Sequence, residues 1–200
     1  MNVISPTWFS VTDDYGNIID KGNKDYVRKY KEMGYEIWPL VDNSFKPELT
    51  HEILSSSTKR EYVIESLLKL YVDYGFEGIN VDFENISKEC GEHYLQFLRE
   101  LSLKCRQNEI ILSVDNPVPS QYSTQYDLEE QGKVVDYVII MGYDEHHKSS
   151  LESGPVASLN FVKNGIQDAL KEVPAEKLIN AVPFYTRLWK EVLKTEEELE

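Results

Sequence analysis

The chain has 200 residues, enough for one sizeable core but fewer than the roughly 250 residues of a complete eight-unit β/α barrel. Its composition is globular, with 41% hydrophobic and 28% charged residues, and no apolar run is long enough to cross a membrane. The formal net charge of −14 disfavours nucleic acid as a partner, because phosphate binding needs clusters of Lys and Arg.

Short apolar runs rich in β-branched and aromatic residues recur along the chain and predict strands. The runs are Val3–Phe9, Glu36–Val41, Gly78–Phe83, Ile110–Val114, Val135–Met141 and Leu178–Val182. Amphipathic patterns between most of them predict helices at Asn23–Met33, Lys59–Tyr74, Gly91–Gln107, near Asp127–Gln131 and at Ser158–Glu172. Strands that alternate with crossover helices predict right-handed βαβ units and a parallel sheet.

Local signals mark the limits of the first two predicted helices. Gly34 and Gly75 follow these helices at the position that a helix C-cap favours. Thr58 with Glu61 fits a capping box at the start of the second helix. The sequence therefore predicts where both helices end and where the second begins.

The two cysteines, Cys90 and Cys105, flank a segment that is predicted to be helical. Because a helix rises about 1.5 Å per residue, it would hold the two thiols roughly 20 Å apart. That distance is too long for a disulfide, so both are expected to be free.

The third predicted strand has one apolar face and one polar face. Side chains alternate along a strand, so the apolar residues of Gly78–Phe83 point one way while Asn80, Asp82 and Glu84 point the other. Such groups are costly to bury unless paired, and neighbouring carboxylates raise the pKa of one of them. A carboxylic acid that stays protonated near neutral pH is what a general acid requires. The strand alone is equally compatible with a catalytic site and with a hydrogen-bonded plug inside the barrel.

This strand resembles the signature of glycoside hydrolase family 18, in which an acidic residue, Gly, an apolar residue, Asp, an apolar residue, Asp, an aromatic residue and Glu follow one another. Glu84 matches the family's catalytic acid, and Asp82 matches the Asp that assists it. Glu77 stands at the first Asp and Asn80 at the middle Asp, which removes one partner of the usual Asp–Asp proton sharing. Asn at that place is familiar in the bacterial cell-wall and spore branch, so the resemblance favours that peptidoglycan N-acetylglucosaminidase branch.

Later segments extend the resemblance over essentially the whole chain. Asp136–Asp144 is similar to the family's sixth strand, and Val182–Trp189 is similar to the seventh strand and its loop, with Thr186 in place of a Gly. The resemblance implies that Tyr143 and Asp144 hold the acetamido group of the substrate. Two earlier segments, Ile4–Phe9 and Ile37–Asn43, also fit.

The reaction that this resemblance implies is retaining and substrate-assisted, because family 18 enzymes use the substrate's own N-acetyl oxygen as nucleophile. Glu84 would protonate the leaving oxygen and later activate water, Asp82 would orient the acetamido group, and Tyr143 would hold its oxygen. No metal or other cofactor enters this scheme, and the adjacent His146 and His147 are a weak signal for one.

Other side chains are expected to touch sugar. Some belong to the matched motifs or their loops, and aromatic ones near the carboxyl ends of strands are candidates for stacking. The expected substrate-binding residues are Asn80, Asp144, Glu145, His146, Tyr185, Arg187, Trp189, Trp8 and Trp38.

The predicted architecture is α/β: an incomplete β/α (TIM) barrel of about six of eight parallel strands, formed by residues 1–200 as one domain. The first and eighth strands of the family have no counterpart in the prediction. We therefore expect two unpaired edges, Val3–Phe9 and Leu178–Val182, protected by self-association or by the charged Lys190–Glu200.

The predicted function is hydrolysis of β-1,4 bonds in polymers that contain N-acetylglucosamine, with peptidoglycan preferred over chitin. Two alternatives stay open: a lectin-like module that binds sugar without cleaving it, and a scaffold with a polar plug. The chain opens with strand-like sequence and no signal peptide, and the parent protein is expected to be extracellular, in the cell wall or on the spore.

Overall fold

A computed structural model of the protein describes residues 2–190. Within that range the helices are α1 (Lys24–Glu32), α2 (Pro47–Leu54), α3 (Ser57–Tyr74), α4 (Gly91–Gln107), α5 (Leu128–Val134) and α6 (Leu159–Ala169). The strands are β1 (Val3–Ile4), β2 (Thr7–Val11), β3 (Ile18–Asp20), β4 (Glu36–Ile37), β5 (Leu40–Asp42), β6 (Gly78–Asp82), β7 (Ile111–Pro117), β8 (Tyr137–Met141) and β9 (Leu178–Ala181).

The main sheet has the strand order β3-β2-β5-β6-β7-β8-β9, and every neighbouring pair is parallel except β2 with β3. β1 and β4 form a separate parallel pair. Pro6 and Pro39 divide the first two predicted strands, because proline has no N–H to donate to a ladder. The six predicted runs thus all lie in parallel strands, and no closed barrel forms within residues 2–190. This confirms the predicted fold class.

The two edges of the main sheet differ. The prediction of a free edge at Val3–Phe9 is wrong, because β3 pairs antiparallel with β2 and sets Phe9 opposite Asp20. Three residues are too few for an alternating pattern to reveal such a strand in the sequence. At the other edge, β9 pairs with β8 alone in the described part of the chain. Self-association through that edge stays a prediction, and residues 191–200, which were expected to protect it, lie outside the described residues.

The helix ends follow from local chemistry. Gly75 ends α3 in the left-handed conformation with φ of 67°, and Gly34 follows α1 with φ of 85°. Glycine adopts this conformation without steric cost, so both predicted ends are confirmed. Helix α2 was not predicted, although its first residue, Pro47, occupies a position where proline fits a helix. None of the helices within residues 2–190 has the length and apolarity to span a membrane.

The predicted capping box at Thr58 and Glu61 is wrong. Helix α3 begins at Ser57, and the hydroxyl of Ser56 accepts a hydrogen bond from the backbone N–H of Lys59 at 3.4 Å. Ser56 therefore satisfies a free N–H of the first turn two residues before the expected cap.

The core lies between the outer face of the sheet and the helices. Phe83 directly follows β6 and stacks on Phe97 of α4 with ring centroids 5.5 Å apart. Cys90 and Cys105 are buried as free thiols, as expected. Because the apolar face of β6 packs on α4, the polar side chains of that strand lie on the inner face of the sheet.

Candidate active site

Three aspartates lie side by side at the carboxyl ends of neighbouring strands. The register pairs Asp42 of β5 with Asp82 of β6, and it pairs Val81 with Val114 immediately before Asp115 of β7. Adjacent strands are about 4.8 Å apart, so the sheet sets these carboxylates close together on one face. We call Asp42, Asp82 and Asp115 the aspartate row.

Glu84 lies just beyond β6, and Asn43 holds its backbone in place. The Asn43 side chain donates a hydrogen bond to the carbonyl of Glu84 at 2.7 Å and accepts one from its N–H at 3.0 Å. Asn43 is 3% exposed and also donates to the hydroxyl of Thr50 in α2. Asn85 then turns away in the left-handed conformation, with φ of 55°. The side-chain amide thus continues the backbone pairing where the strand stops.

Burial and neighbouring charges make two of the carboxyls weaker acids. Burial, followed by repulsion from Asp82, Asp144 and Asp42, raises the pKa of Glu84 to about 7. Burial and repulsion from Asp42 raise the pKa of Asp82 to about 6. No Lys or Arg in the range 2–190 forms an ion pair with Glu84 or Asp82, and Asp82 Oδ1 is buried without a hydrogen-bond partner. Near neutral pH, a protonated Glu84 can therefore lie beside an ionised Asp82.

Asn80 lies one step before Asp82 on the same face of β6, and both ends of its side-chain amide form hydrogen bonds with residues of β7. Its Nδ2 donates to Asp115 Oδ2 at 2.8 Å, and its Oδ1 accepts from Ser113 Oγ at 2.7 Å. Burial and repulsion from Asp82 raise the pKa of Asp115 to about 7, although the hydrogen bond from Asn80 lowers it. Asn80 is only 3% exposed, so the expectation that it contacts sugar does not fit its position.

Tyr143 follows β8 and faces the same carboxyl groups. Burial and the charges of Asp115, Asp82 and Glu84 raise the pKa of its hydroxyl, which therefore stays protonated. A protonated phenol can donate a hydrogen bond to an incoming acceptor. The Tyr143 ring meets Tyr185 edge-on, with centroids 6.3 Å apart.

Asp144 joins the loop after β8 to the segment after β9. Its Oδ1 accepts hydrogen bonds from the Tyr185 hydroxyl at 2.5 Å and from Arg187 Nη1 at 2.6 Å. Burial alone would raise the pKa of Asp144, but these two hydrogen bonds outweigh burial and lower the pKa overall. Arg187 also donates to the carbonyl of His146 at 3.0 Å. Tyr185 and Arg187 thus stabilise an ionised Asp144 at the rim of the site.

A cleft of about 620 Å³ opens at this end of the sheet. Glu84, Tyr143 and Asp144 line it, together with residues 117–120 and Phe161 of α6. In a β/α barrel, this carboxyl-terminal face is where active sites form. The structure therefore brings Glu84, Tyr143 and Asp144 to one cleft, with Tyr185 against Tyr143. Asp82 acts on Glu84 through its charge and is not part of the cleft wall in the described residues.

Two expected sugar contacts lie elsewhere. Trp38 is 3% exposed and stacks on Tyr137 at the amino end of β8, with centroids 5.6 Å apart, so it lies at the opposite end of the sheet from Glu84. Trp8 packs edge-on against Tyr26 of α1 at 5.4 Å. The register shifts within β2, and Trp8 consequently packs on the helix side. Placing Trp8 and Trp38 in the sugar cleft was wrong.

The loop after Asp144 is held by its own residues. Glu145 accepts hydrogen bonds from the N–H and hydroxyl of Ser158, at 2.6 and 3.0 Å, and so reinforces the start of α6. His146 Nδ1 lies 3.1 Å from a carbonyl of the same loop, and Trp189 Nε1 donates to the carbonyl of Gly154 at 2.8 Å. The Glu145 carboxylate is thus engaged by a helix, which does not fit the expected sugar contact. In the described part of the chain, no group of three or more His, Cys, Asp or Glu side chains is arranged to hold a metal ion.

Sequence reasoning missed Asp115 and Asn43. The fourth predicted strand stopped at Val114, whereas β7 continues to Pro117. Extending the alternation of that strand by one residue would have placed Asp115 on the same face as Ser113. Asn43 gave no comparable signal, because its contribution depends on a contact with a distant part of the chain.

Residues 47–199 match the sequence model of glycosyl hydrolases family 18, which is more than half of the chain. The chain belongs to glycosyl hydrolase family 18. This confirms the resemblance that the Glu84 segment carries. The same match extends over the segments that supply Asp115, Tyr143 and Arg187.

Proteins similar to this chain carry names that refer to sporulation, to cortical fragments and to chitin. The provisionally named sporulation-specific glycosylase YdhD of Bacillus subtilis (strain 168) is 30% identical over 154 residues, which are 75% of this chain and 36% of that protein. Its crystal structure matches with a TM-score of 0.86 at 26% identity, over 92% of this chain and 64% of the other. The cortical fragment-lytic enzyme of Bacillus anthracis is 27% identical over 159 residues, 76% of this chain and 36% of that enzyme.

A chitinase from Chromobacterium violaceum ATCC 12472 shares the fold, with a TM-score of 0.83 at 23% identity over 92% of this chain and 61% of that one. This chain thus spans between 36% and 64% of the length of the relatives named here. Agreement with these family 18 structures supports the β/α-barrel architecture of the predicted fold.

Proposed function

We propose that this family 18 chain hydrolyses β-1,4 glycosidic bonds in polymers that contain N-acetylglucosamine. The observation that carries the proposal is the pairing of Glu84 with Asp82 beside Tyr143. Glu84 lines the cleft with a pKa raised to about 7 by burial and by Asp82. A carboxyl with that pKa can both give up a proton and take one back near neutral pH.

Glu84 acts as general acid and then as general base. Its proton passes to the glycosidic oxygen as the bond between that oxygen and the sugar C1 breaks. The ionised Glu84 then removes a proton from the water that attacks C1, which restores the acid. The two hydrogen bonds between the Asn43 side chain and the Glu84 backbone, which we call the backbone clamp, support both steps, because they fix the backbone that carries this carboxyl.

The nucleophile in this proposal is the substrate's own acetamido oxygen, which bonds to C1 as the leaving group departs. A positively charged oxazolinium-type ring results, and it opens when water attacks C1 and the bond between C1 and the acetamido oxygen breaks. An ionised Asp82 stabilises that charge, because no cation in the described residues forms an ion pair with Asp82. Tyr143 donates a hydrogen bond to the acetamido oxygen. Tyr185 packs against the Tyr143 ring and donates to Asp144, and this contact holds Tyr143 in place from the rim.

Peptidoglycan of the wall or spore is the proposed substrate, ahead of chitin. Two observations support this preference: Asn80 replaces the middle Asp of the family signature, and relatives with names that refer to sporulation and to cortical fragments match most of the chain. The parent protein would then act outside the cell, in the wall or on the spore.

The test is incubation with N-acetylglucosamine oligomers and with muropeptides, followed by mass spectrometry of the products. We expect cleavage of the muropeptides, seen as products of lower mass. Binding of sugar without cleavage would favour a lectin-like module. The absence of both binding and cleavage would favour a scaffold. The Glu84→Gln variant is the control, because it keeps the shape of the side chain and removes the transferable proton.

A further inference from the structure

The proposed reaction gives no task to two members of the aspartate row, Asp42 and Asp115, and Asp115 is the more deeply placed between polar neighbours of its own strand and β6. Asp115 is 9% exposed and lies on β7, beside the strand that carries Asp82. A buried carboxylate is costly unless it is paired, hydrogen-bonded or protonated. Asp115 forms no ion pair within residues 2–190, so one of the other two conditions must satisfy it.

Hydrogen bonding satisfies only one of its two oxygens. Asn80 donates to Asp115 Oδ2 at 2.8 Å, and Ser113 donates to the other end of the Asn80 amide at 2.7 Å. Ser113 thereby fixes the orientation of the amide, so that its NH₂ group points to Asp115. Asp82, on the same face as Asn80, keeps its Oδ1 buried without a hydrogen bond. Two carboxyls thus lie on neighbouring strands with only one donor between them.

The groups around Asp115 are almost all acidic. Asp82 and Glu84 face it from β6 and the residues beyond, and both oppose its ionisation. Asp42 acts on those two carboxyls from β5.

Tyr143, after β8, and Tyr94, on α4, both interact electrostatically with Asp115, and both are neutral phenols near pH 7. The cation of Arg187 is engaged by Asp144 at the rim. No positive charge in the described residues therefore compensates the aspartate row directly, and protons must do so.

We propose that Asp115 and Asp82 form a proton-sharing pair across two strands, in which Asp115 supplies the carboxyl that position 80 lacks. Asp115 holds the shared proton near neutral pH and leaves Asp82 ionised, while Asn80 keeps Asp115 in place. Asp115 is thus a positioning residue for the protonation of Asp82 and Glu84. Its effect on catalysis rests on the proposed function, but the pair itself does not.

Replacing Asp115 with Asn tests this pair without changing its shape. Asn cannot ionise, so Glu84 no longer meets the repulsion that Asp115 exerts once it loses its proton, and Glu84 should become a stronger acid. Titration of carbon-13-labelled side-chain carboxyls by NMR measures this in the full chain, with no substrate present. We expect Asp115 to titrate in the neutral range in the wild type. The Asp115→Asn change should lower the midpoint of Glu84 by about half a pH unit or more, whereas Asp82, which ionises while Asp115 still holds its proton, should keep its midpoint.

Asp136→Asn is the matched control. Asp136 accepts a hydrogen bond from the N–H of Leu112 at the amino ends of β7 and β8, away from the cleft. The same change of Asp to Asn at that end should leave the midpoints of Asp82 and Glu84 where they are. A fall of equal size in this control would show that net charge, and not the pair, sets the midpoints.

A double variant moves the carboxyl back to the neighbouring strand. In Asn80→Asp with Asp115→Asn, the amide and carboxyl exchange places and the hydrogen bond between them is kept. We expect this variant to restore the midpoint of Glu84 to near the wild-type value. It also guards against a folding defect, because it retains one amide and one carboxyl in the same buried space.

The rate of hydrolysis gives a second readout. Loss of the proton-sharing partner should move the alkaline limb of the pH–rate profile to lower pH in Asp115→Asn, and the double variant should move it back. A residue with only a structural effect would lower the rate at every pH and leave the limbs in place.

The pair is overturned if Asp115 titrates below about pH 5, as an ordinary Asp does, or if Asp115→Asn leaves the midpoint of Glu84 unchanged. Failure of the proposed function looks different. In that case no oligomer is cleaved by the wild type, while the three midpoints still respond as described.

Discussion

The two ends of the parallel sheet both carry acidic side chains around an opening, but they use them in opposite ways. At the amino end, an opening of about 720 Å³ is lined by Glu36, Glu77, Trp38 and Tyr137. Glu77 accepts a hydrogen bond from the N–H of Ile37 at 2.9 Å, and Glu36 accepts one from Trp38 Nε1 at 3.0 Å. Both carboxylates there have donors.

At the carboxyl end, the opening is somewhat smaller, about 620 Å³; Asp144 at its rim has two donors, but the carboxyl of Glu84 accepts no hydrogen bond within residues 2–190. Glu77 also pairs with Lys31, whereas Glu84 and Asp82 have no ion pair within residues 2–190. Burial and repulsion from neighbouring carboxylates raise the pKa of Glu84 to about 7 and that of Asp82 to about 6. Unpaired acidity, and not the size of the opening, therefore distinguishes the end of the sheet at which we propose that the reaction takes place.

The largest expected difference between the two ends comes from the glutamates. Glu84→Gln removes the transferable proton and should lower the hydrolysis rate on the order of a hundredfold to ten-thousandfold. Glu77→Gln keeps an acceptor for the N–H of Ile37 and should leave the rate within a few-fold of wild type. Steady-state kinetics on muropeptides measures both. Activity of Glu84→Gln close to wild type would remove Glu84 from the mechanism.

A smaller difference is expected between two tyrosines. Tyr143→Phe loses the hydroxyl that donates to the acetamido oxygen, and the rate should fall on the order of tenfold to a hundredfold. Tyr137→Phe, at the amino end, keeps the ring that stacks on Trp38 and should leave the rate unchanged. Equal rates for the two variants would show that Tyr143 makes no hydrogen bond in the transition state.

The smallest expected effect on rate concerns the backbone clamp. Asn43→Ala leaves the N–H and carbonyl of Glu84 without partners and should lower the free energy of unfolding by about 1 to 3 kcal/mol. The rate of the folded enzyme should fall about two- to tenfold, because the acid is less well positioned.

A matched variant separates the two effects of the clamp. Asn116 exchanges two hydrogen bonds with Gln131 on the helix side of β7, at 2.8 and 3.1 Å. Asn116→Ala should cost comparable stability, measured by urea unfolding, without a loss of rate. If both variants lose the same rate, the clamp stabilises the fold and does not position Glu84.

The sequence was sufficient to predict the parts of this molecule that repeat a pattern. The alternation of Gly78–Phe83 predicts an outer apolar face and an inner polar one, and this is what the structure has. The order of strands and helices predicts the parallel sheet. Glu84 and Tyr143 meet at one cleft because both follow parallel strands, whose carboxyl ends lie at the same edge.

Other parts depend on contacts that no local pattern records. Trp8 occupies an alternating strand position, but a register shift in β2 sets it against α1. Trp38 follows a strand-like run, yet Pro39 divides that run and leaves Trp38 at the amino end of the sheet. The placement of Asp115 could be read only after β7 was known to extend beyond Val114.

The Asn80–Asp115 hydrogen bond has a consequence for how related sequences are compared. Strands about 4.8 Å apart can deliver a carboxyl to nearly the same place from different positions in the chain. An alignment follows the chain and would score Asn80 as a lost acid, while the acid has moved sideways to β7. In parallel sheets of this kind, conserved chemistry is better sought along a row of neighbouring strand positions than within one column of an alignment.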